Sequence, residues 1–258
     1  MNPNLTTIDY VQKDGTKIKV PFYKGNFISG ERHYFDRKSR LLADGYVPSS
    51  IATNMEQRIF ALQSKNPVVI DLWIKNTLES GDSVMYHPDG RIKIVYDSKT
   101  LASANKQSKF DEDESLLLTE GTFDKTEGIE FSRKELEKYA NKPLSLSQFN
   151  ENPIWLALAR GDMQLLKEYG EILFSYHTKI SQRQFGSIYI EDQLSKYECE
   201  EPFCIQSFFA DSSVVASFTN FDEVMVGIEP KNIYPISEFK HLNPVNLEAL
   251  INDIVQAR

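Results

Sequence analysis

The stretch SVMYHPDGRIKIVY, residues 83–96, predicts the fold of this protein more directly than any other part of the sequence. Two strand-like segments, 83–87 and 91–96, flank the tripeptide Pro88-Asp89-Gly90. Proline presets φ at the first central position of a turn and glycine accepts positive φ, so this tripeptide is typical of a tight turn. The stretch therefore predicts a β-hairpin, which is a unit of antiparallel sheet.

Further strand-like segments lie near both ends of the chain. Residues 6–11 and 17–23 flank Lys13-Asp14-Gly15-Thr16 and predict a second hairpin close to the N-terminus. Short segments rich in β-branched or aromatic residues follow after residue 184, separated by polar turns. These segments are 187–190, 205–209, 214–218 and 224–228.

Three Asn-Pro dipeptides each predict the start of a helix: Asn66-Pro67, Asn152-Pro153 and Asn243-Pro244. The asparagine side chain is a good N-cap acceptor, and proline can occupy the first helical position without losing a needed donor. We expect the first of these helices to end at Gly81 and the third to run to the C-terminus. Capping boxes predict further starts at Thr53 and Ser132, and apolar periodicity predicts a long helix over 162–177.

The order of these elements predicts the class of the fold. Helices and strands occur in blocks and do not alternate strictly, which favours an α+β fold over a doubly wound parallel sheet. We expect mixed helices with mostly antiparallel strands, N-terminal hairpins, and a C-terminal block of short strands closed by a final helix. The whole chain, 1–258, is expected to form a single compact domain. The polar loop 105–114 is the best candidate for a boundary between two lobes, 1–104 and 115–258.

The segment NPIWLALARGD, residues 152–162, resembles a single ankyrin repeat. An ankyrin array needs several stacked copies at a period of about 33 residues to bury a core. The sequence contains no second copy. We therefore interpret the segment as two short antiparallel helices joined at Gly161-Asp162.

The composition indicates a folded protein of the cytoplasm that makes no contact with a membrane. Apolar residues make up 41% and charged residues 26% of the 258 residues, which is ordinary globular usage. No apolar run is long enough to predict a transmembrane helix. The first residues show neither the basic nor the apolar region of a secretory signal.

The two cysteines, Cys199 and Cys204, are too few for a disulfide framework, so we expect free thiols in a reducing compartment. Together with His177 they could supply three soft ligands, but structural zinc sites usually have four. Cys204 leads into an apolar strand and is more simply interpreted as a small buried hydrophobe. We therefore expect no metal and no cofactor.

The charge is unevenly distributed along the chain. Residues 1–40 hold eight Lys or Arg against four Asp or Glu, whereas the whole chain has a net charge of −8. Aromatic residues are interleaved with these cations, a mixture that suits a nucleotide or single-stranded nucleic acid because cations follow phosphates and rings stack on bases. An alternative is that the cations only neutralise the acidic remainder. The candidate ligand-binding residues are Arg32, His33, Arg37, Lys38, Arg40, His87 and Arg91.

The sequence contains no phosphate-binding loop, nucleophile elbow or zinc-protease motif, so it assigns no catalytic residue. Whether the protein is an enzyme stays open at this point. The favoured hypothesis is a non-enzymatic binding or interaction protein whose partner is another protein. The alternative is an enzyme that acts on a nucleotide or phosphate-bearing substrate through the basic, aromatic N-terminal region. On that alternative, Arg32, Arg37, Lys38 and Arg40 should be exposed together.

Overall fold

The computed structural model describes most of the chain between residues 5 and 228. The described residues are 5–11, 16–24, 38, 41–63, 66–105, 107–110, 115–119, 121–181, 186–190, 204–210, 214–216 and 223–228. Within these ranges the chain forms helices and a mostly antiparallel sheet, so the protein is of the α+β class. The helix predicted from Asn243 onward lies outside the described residues, and the division into lobes at 105–114 stays a prediction.

Residues 38 and 41–43 are helical, and eight further α-helices lie entirely within the described residues. They are α1 (Ile51–Gln63), α2 (Pro67–Lys75), α3 (Lys99–Ser103), α4 (Thr122–Lys125), α5 (Arg133–Tyr139), α6 (Leu146–Asn150), α7 (Pro153–Leu158) and α8 (Met163–Tyr176). A π-helical turn, His177–Ser181, continues α8. The long helix predicted over 162–177 is therefore confirmed as α8.

Eleven strands belong to one sheet within the described part of the chain. They are β1 (Leu5–Val11), β2 (Lys17–Lys24), β3 (Val47–Pro48), β4 (Thr77–Tyr86), β5 (Ile92–Val95), β6 (Leu116–Leu117), β7 (Ile129–Phe131), β8 (Ser187–Tyr189), β9 (Cys204–Ala210), β10 (Val214–Ala216) and β11 (Glu223–Ile228). The main path runs β1-β2-β11-β4-β9-β10-β8, while β5 pairs with β4 and β7 pairs with β5. Two pairings, β4 with β11 and β8 with β10, are parallel.

Both predicted hairpins are present. Strands β4 and β5 pair antiparallel with Ser83 opposite Val95, and β1 pairs antiparallel with β2. The four strand-like segments predicted after residue 184 correspond to β8, β9, β10 and β11. The antiparallel character read from the Pro88-Asp89-Gly90 turn therefore extends to most of the sheet.

The β4–β5 hairpin lies between two hydrophobic clusters because successive side chains of a strand point to opposite faces. One face contributes Val84, Tyr86, Ile92 and Ile94 to the larger cluster, which also contains residues of α1, α7 and α8. The opposite face contributes Met85 and Val95 to a smaller cluster, which also contains Leu101 of α3, Leu116 of β6 and Phe123 of α4. This burial on both faces explains why Val84–Tyr86 of β4 and three of the four residues of β5 are apolar.

The expectation that the helix from Pro67 continues to Gly81 is wrong. Helix α2 ends at Lys75, and the residues from Thr77 onward form β4. Strand β4 pairs with β5, β9 and β11. These long-range pairings bury the segment in the sheet and outweigh the local helical pattern.

Strand β4 contains an irregularity, where its backbone groups form hydrogen bonds with two other segments of the chain. Its register against β9 shifts between Glu79 and Ser83. The Gly81 amide donates to the Ser49 carbonyl at 2.8 Å, and the Gly81 carbonyl accepts from the Ser98 amide at 3.0 Å. The shift therefore frees backbone groups of the strand to hold the segment before α1 and the segment before α3.

Two of the three Asn-Pro helix starts lie within the described residues, and both are confirmed. The Asn152 side chain accepts from the Ile154 and Trp155 amides at 2.9 and 3.2 Å. The Asn66 side chain accepts from the Val69 amide at the longer distance of 3.5 Å. Asparagine before proline thus caps α7 firmly and α2 weakly.

The capping boxes give one confirmation and one correction. Ser132 accepts from the Glu135 amide while the Glu135 carboxylate accepts from the Ser132 amide, so the predicted box begins α5. Thr53, by contrast, lies inside α1, which begins at Ile51. The capping hydroxyl is supplied earlier, by Ser50, whose Oγ accepts from the Thr53 amide at 3.1 Å.

The segment that resembles an ankyrin repeat forms two helices, α7 and α8. They are joined at Arg160 and Gly161, whose φ angles are 55° and 79°. The Asp162 side chain then accepts from the Gln164 and Leu165 amides and caps α8. The helix pair predicted to meet at Gly161-Asp162 is therefore present.

Replacing Asn152 by Ala should lower the free energy of unfolding by about 1–2 kcal/mol, because α7 loses its N-cap. The Asn152 side chain also donates to the Tyr139 carbonyl at 2.9 Å, and the side chain is buried. The matched variant Asn66→Ala should cost clearly less, because its cap contact is long and exposed. Chemical denaturation of both variants measures the difference, and equal losses would contradict the assignment.

Candidate functional site

Charged side chains gather where the β4–β5 hairpin turns, and we call this group the hairpin-mouth cluster. Its members are His87, Asp89, Arg91, Lys93, Phe123 and Glu130. The Arg91 Nε lies 3.1 and 2.8 Å from the two Asp89 carboxylate oxygens. The Arg91 Nη1 donates to Glu130 Oε1 at 2.7 Å. One guanidinium thus joins the hairpin turn to β7.

The Phe123 ring forms the floor of the hairpin-mouth cluster. The Arg91 guanidinium lies 5.3 Å and the Lys93 ammonium 4.3 Å from the ring centroid. The His87 ring meets Phe123 edge-on at 5.1 Å. Lys93 also donates to the Phe123 and Thr126 carbonyls at 2.6 and 3.2 Å. Cation–π contact and hydrogen bonds therefore hold the cations against α4.

The electrostatics of this cluster favour ionised, mutually neutralised groups. Burial alone would raise the pKa of Asp89, but hydrogen bonds from the Arg91 amide and guanidinium lower it below its ordinary value. Hydrogen bonds to Glu130 and Asp89 raise the pKa of Arg91. Nδ1 of His87 lies 3.2 Å from the Asp89 amide and 2.8 Å from its carboxylate. The imidazole can accept from the amide when neutral or donate to the carboxylate when protonated.

A second group of charges lies deeper, at the irregularity of β4, and we call it the Asp82 network. It consists of Asp82, Asp97, Arg160 and Tyr96. The fully buried Asp82 accepts through Oδ1 from Arg160 Nη2 at 3.0 Å and from the Asp97 amide at 3.2 Å. Its Oδ2 accepts from the Ile51 amide at 2.9 Å. Arg160 Nη2 also lies 2.9 Å from Asp97 Oδ2, and the Arg160 guanidinium lies 5.1 Å from the Tyr96 ring centroid.

Two residues of the Asp82 network have a left-handed backbone. The φ angle is 45° at Asp97 and 55° at Arg160, and among the described non-glycine residues only Asn141 shares a positive φ. This region is uncommon for residues with a Cβ. The two residues lie on different turns, and their side chains are paired with each other.

Burial controls the ionisation of the Asp82 network. It raises the pKa of Asp82, and the Arg160 charge and the Ile51 and Asp97 amides offset only part of this effect. Burial, followed by the charge of Asp82, raises the pKa of Tyr96 to about 12. The Asp82 carboxyl therefore holds its proton at higher pH than an ordinary aspartate.

The structure brings together only some of the residues predicted from the sequence. His87 and Arg91 lie in the hairpin-mouth cluster. Lys38 lies elsewhere, against α3. The other predicted ligand-binding residues, Arg32, His33, Arg37 and Arg40, lie outside the described residues. Their role in binding stays a prediction.

The expectation that Lys38 belongs to an exposed basic surface is wrong. Its exposed fraction is 4%, and its ammonium donates to the Leu101 and Ala102 carbonyls. These carbonyls belong to the last turn of α3, where a helix has unsatisfied acceptors that attract a cation. Burial lowers the pKa of Lys38. The side chain therefore stabilises a helix end.

Sequence reasoning missed most members of both clusters. Asp82 and Glu79 are both acidic residues of β4, TLESGDSVMY, so the sequence gives only a weak sign that Asp82 is a buried charge with a partner. Its partner Arg160 lies far along the chain, and nothing in the sequence indicates that the two residues are paired. Lys93 interrupts the run Ile92–Ile94, where a charged residue in a buried strand likewise predicts a specific partner.

The described residues contain no group of three or more His, Cys, Asp or Glu side chains that could hold a metal ion. Cys204 is buried in β9 and carries a thiol, as expected, while Cys199 lies outside the described residues. His177 is buried beside Tyr176 at the end of α8, with ring centroids 5.3 Å apart. Among the described helices, none is long and apolar enough to span a membrane.

Comparison with known proteins gives a likeness of fold. No protein family model and no curated protein matches the sequence. One similar solved structure is a chain described in connection with the accommodation of massive sequence variation in Nanoarchaeota by the C-type lectin fold. The TM-score is 0.55 and the identity 8%, over 88% of this chain and 99% of that chain. At this identity the likeness shows the fold alone.

Replacing Arg160 by Met should lower the free energy of unfolding by about 3 kcal/mol, because a buried carboxylate loses its counter-charge. The matched variant Arg91→Met removes an Asp–Arg pair from the same hairpin, but on the exposed side, and should cost much less. Urea denaturation at neutral pH measures both losses. A larger loss for Arg91→Met would contradict the assignment of Arg160 to the frame of the fold.

Tyr96 should ionise with a pKa of about 12, whereas exposed tyrosines ionise with a pKa of about 10. The stabilising contribution of its raised pKa is complete below the unfolded value and is lost as the pH rises through the folded value. In a pH titration, the ultraviolet absorbance of tyrosinate in the wild type should therefore show one step at high pH that is missing in Tyr96→Phe. If the step that is missing in Tyr96→Phe instead lies near the ordinary tyrosine pKa, Tyr96 is not buried in this way.

Proposed function

We propose that this chain is a non-enzymatic binding protein and that the hairpin-mouth cluster forms part of its contact surface. The observation that carries the proposal is the position of Arg91, which is held between two carboxylates at the surface. Its side chain is 32% exposed, and those of Asp89 and Glu130 are 48% and 40% exposed. These charges can therefore contact a partner.

The geometry of the hairpin-mouth cluster reduces the cost of binding. Ordering a long side chain on association normally costs conformational entropy. Here the Arg91 side chain is already oriented by Asp89, Glu130 and the Phe123 ring. Arginine is enriched among the residues that contribute most to protein–protein binding. A pre-oriented arginine is therefore a suitable anchor for a protein partner.

Strand β7 supplies one of the two carboxylates that hold Arg91. Among the described strands, β7 pairs only with β5, and its Glu130 side chain is 40% exposed. Ile129, the preceding residue, points to the opposite face of the strand. The surface that this cluster offers to a partner is therefore charged.

The fold likeness supports a binding role. The similar chain is described as a case of the C-type lectin fold accommodating massive sequence variation. A frame of this kind can keep its shape while exposed side chains change, and recognition then depends on those side chains. In this chain the buried Asp82 network and the apolar clusters form the frame, whereas the hairpin-mouth cluster is exposed.

The alternative, an enzyme for a nucleotide or phosphate-bearing substrate, has weaker support. A phosphate at Arg91 would have to displace Asp89 or Glu130, since the guanidinium already contacts both. The Lys38 ammonium is directed to α3 and is buried. Among the described residues, the cations proposed for phosphate binding are therefore engaged by groups of the protein itself.

The variant Arg91→Met should abolish binding of the protein partner, because the proposed anchor loses its guanidinium. Arg133→Met is the matched control, since Arg133 is also an exposed arginine paired with a carboxylate but lies at the start of α5. Quantitative affinity capture from a lysate of the source organism, with each protein as bait, measures the effect. A partner lost equally from both variants, or retained by Arg91→Met, would contradict this surface.

Labelled single-stranded DNA and a labelled nucleotide should show no binding in fluorescence anisotropy at about 50 mM salt, where phosphate contacts are strong. Binding that weakens steeply with salt and is lost in Arg37→Glu would favour the alternative function instead.

A further inference from the structure

The Asp82 network joins segments that are far apart in the sequence. Asp82 lies in β4 and receives hydrogen bonds from the first residue of α1, Ile51, and from the residue after Tyr96, Asp97. Its ion pair reaches Arg160 in the turn between α7 and α8. This one carboxyl therefore contacts three joints of the fold.

One of the three joints depends on the charge, and two do not. The Ile51 and Asp97 amides can donate to a neutral carboxyl oxygen as well as to an ionised one. Arg160 is different, because its attraction to Asp82 needs the negative charge. Without that charge, the remaining ion pair of Arg160 is with Asp97, whose side chain is 56% exposed. An exposed pair holds its partners weakly.

Strain at the charge-dependent joint favours its release. Arg160 keeps a φ angle of 55°, which is uncommon for residues with a Cβ and costs free energy. Its side chain is held by Asp82 and Asp97, whereas the contact of Asp97 with Asp82 is made by the Asp97 backbone amide. When the pair with Asp82 weakens, the turn at Arg160 can relax to an ordinary backbone conformation.

We propose that Asp82 is an acid-operated latch, in which a proton from solvent neutralises the buried carboxylate and releases the Arg160 turn while the fold persists. The charged or titratable groups of the network that face Asp82 are Arg160, Asp97 and Tyr96. Asp97 opposes and Arg160 supports its ionisation. The latch opens at the end of β5 that is remote from Arg91.

The direction of the pKa shift separates release from acid unfolding. The pKa of Asp82 is raised in the folded state by burial. The folded chain therefore binds this proton more tightly than the unfolded chain does. The contribution to stability is complete below the unfolded pKa and is lost as the pH rises through the folded pKa. Acidification to just above the ordinary aspartate value, about 3.9, thus protonates Asp82 without a penalty to the fold.

Amide hydrogen exchange in the full-length protein, corrected for intrinsic rates, tests the latch. Protection at Arg160 and Gly161 should fall by roughly tenfold on acidification, the factor that corresponds to one pKa unit of differential interaction. Protection at Ile51 and Asp97, whose amides can donate to the neutral carboxyl, should stay unchanged over the same range. The variant Asp82→Asn, which cannot ionise, should show the low protection at every pH.

Asp89→Asn is the matched control, because it removes the other Asp–Arg pair of the same hairpin and should keep the transition. A transition that persists in Asp82→Asn, or a wild-type Arg160 turn that stays protected until global unfolding, would overturn the latch. If Asp82→Asn does not fold, the carboxyl carbon of Asp82 in the wild type decides by nuclear magnetic resonance. Its titration must coincide with the loss of protection, and a separate midpoint would overturn the proposal.

Discussion

The buried carboxyl of Asp82, which pairs with Arg160, connects three segments that are far apart in the sequence. A carboxylate with no solvent exposure is costly unless it is paired and hydrogen-bonded. Asp82 meets this requirement only when α1, the turn after β5 and the turn before α8 are all in place, because each supplies one partner. The pair therefore adds specificity to packing that the hydrophobic clusters alone would leave less defined.

The irregularity of β4 makes this pairing possible. A regular strand would direct its backbone groups to its neighbours, whereas here the Gly81 amide and carbonyl bind Ser49 and Ser98. The adjacent carboxyl of Asp82 then meets the start of α1. The strand beyond the irregularity returns to regular alternation and separates the two hydrophobic clusters. One local defect thus connects the sheet to the helices on both sides.

The elements that could be predicted are those with local causes. The Pro88-Asp89-Gly90 hairpin, the cap at Asn152 and the box at Ser132 depend on residues a few positions apart, and all three are confirmed. The predicted extent of α2 was wrong because the pairing of β4 with distant strands, and not the local sequence, determines where the helix ends. The candidate site was predicted in part, since His87 and Arg91 adjoin a recognisable turn, whereas the partners Phe123 and Glu130 are set by the fold.

The two Asp–Arg pairs of the β4–β5 hairpin show how position decides the role of the same chemistry. Arg91 with Asp89 is exposed, so solvent screens the pair and a partner can compete for either group at little cost to the fold. Arg160 with Asp82 is buried, so neither group can be exchanged without leaving the other charge uncompensated. The exposed pair is therefore suited to recognition and the buried pair to the frame. Because β4 connects Asp82 to the turn that contains Asp89, the frame fixes where the recognition surface is presented.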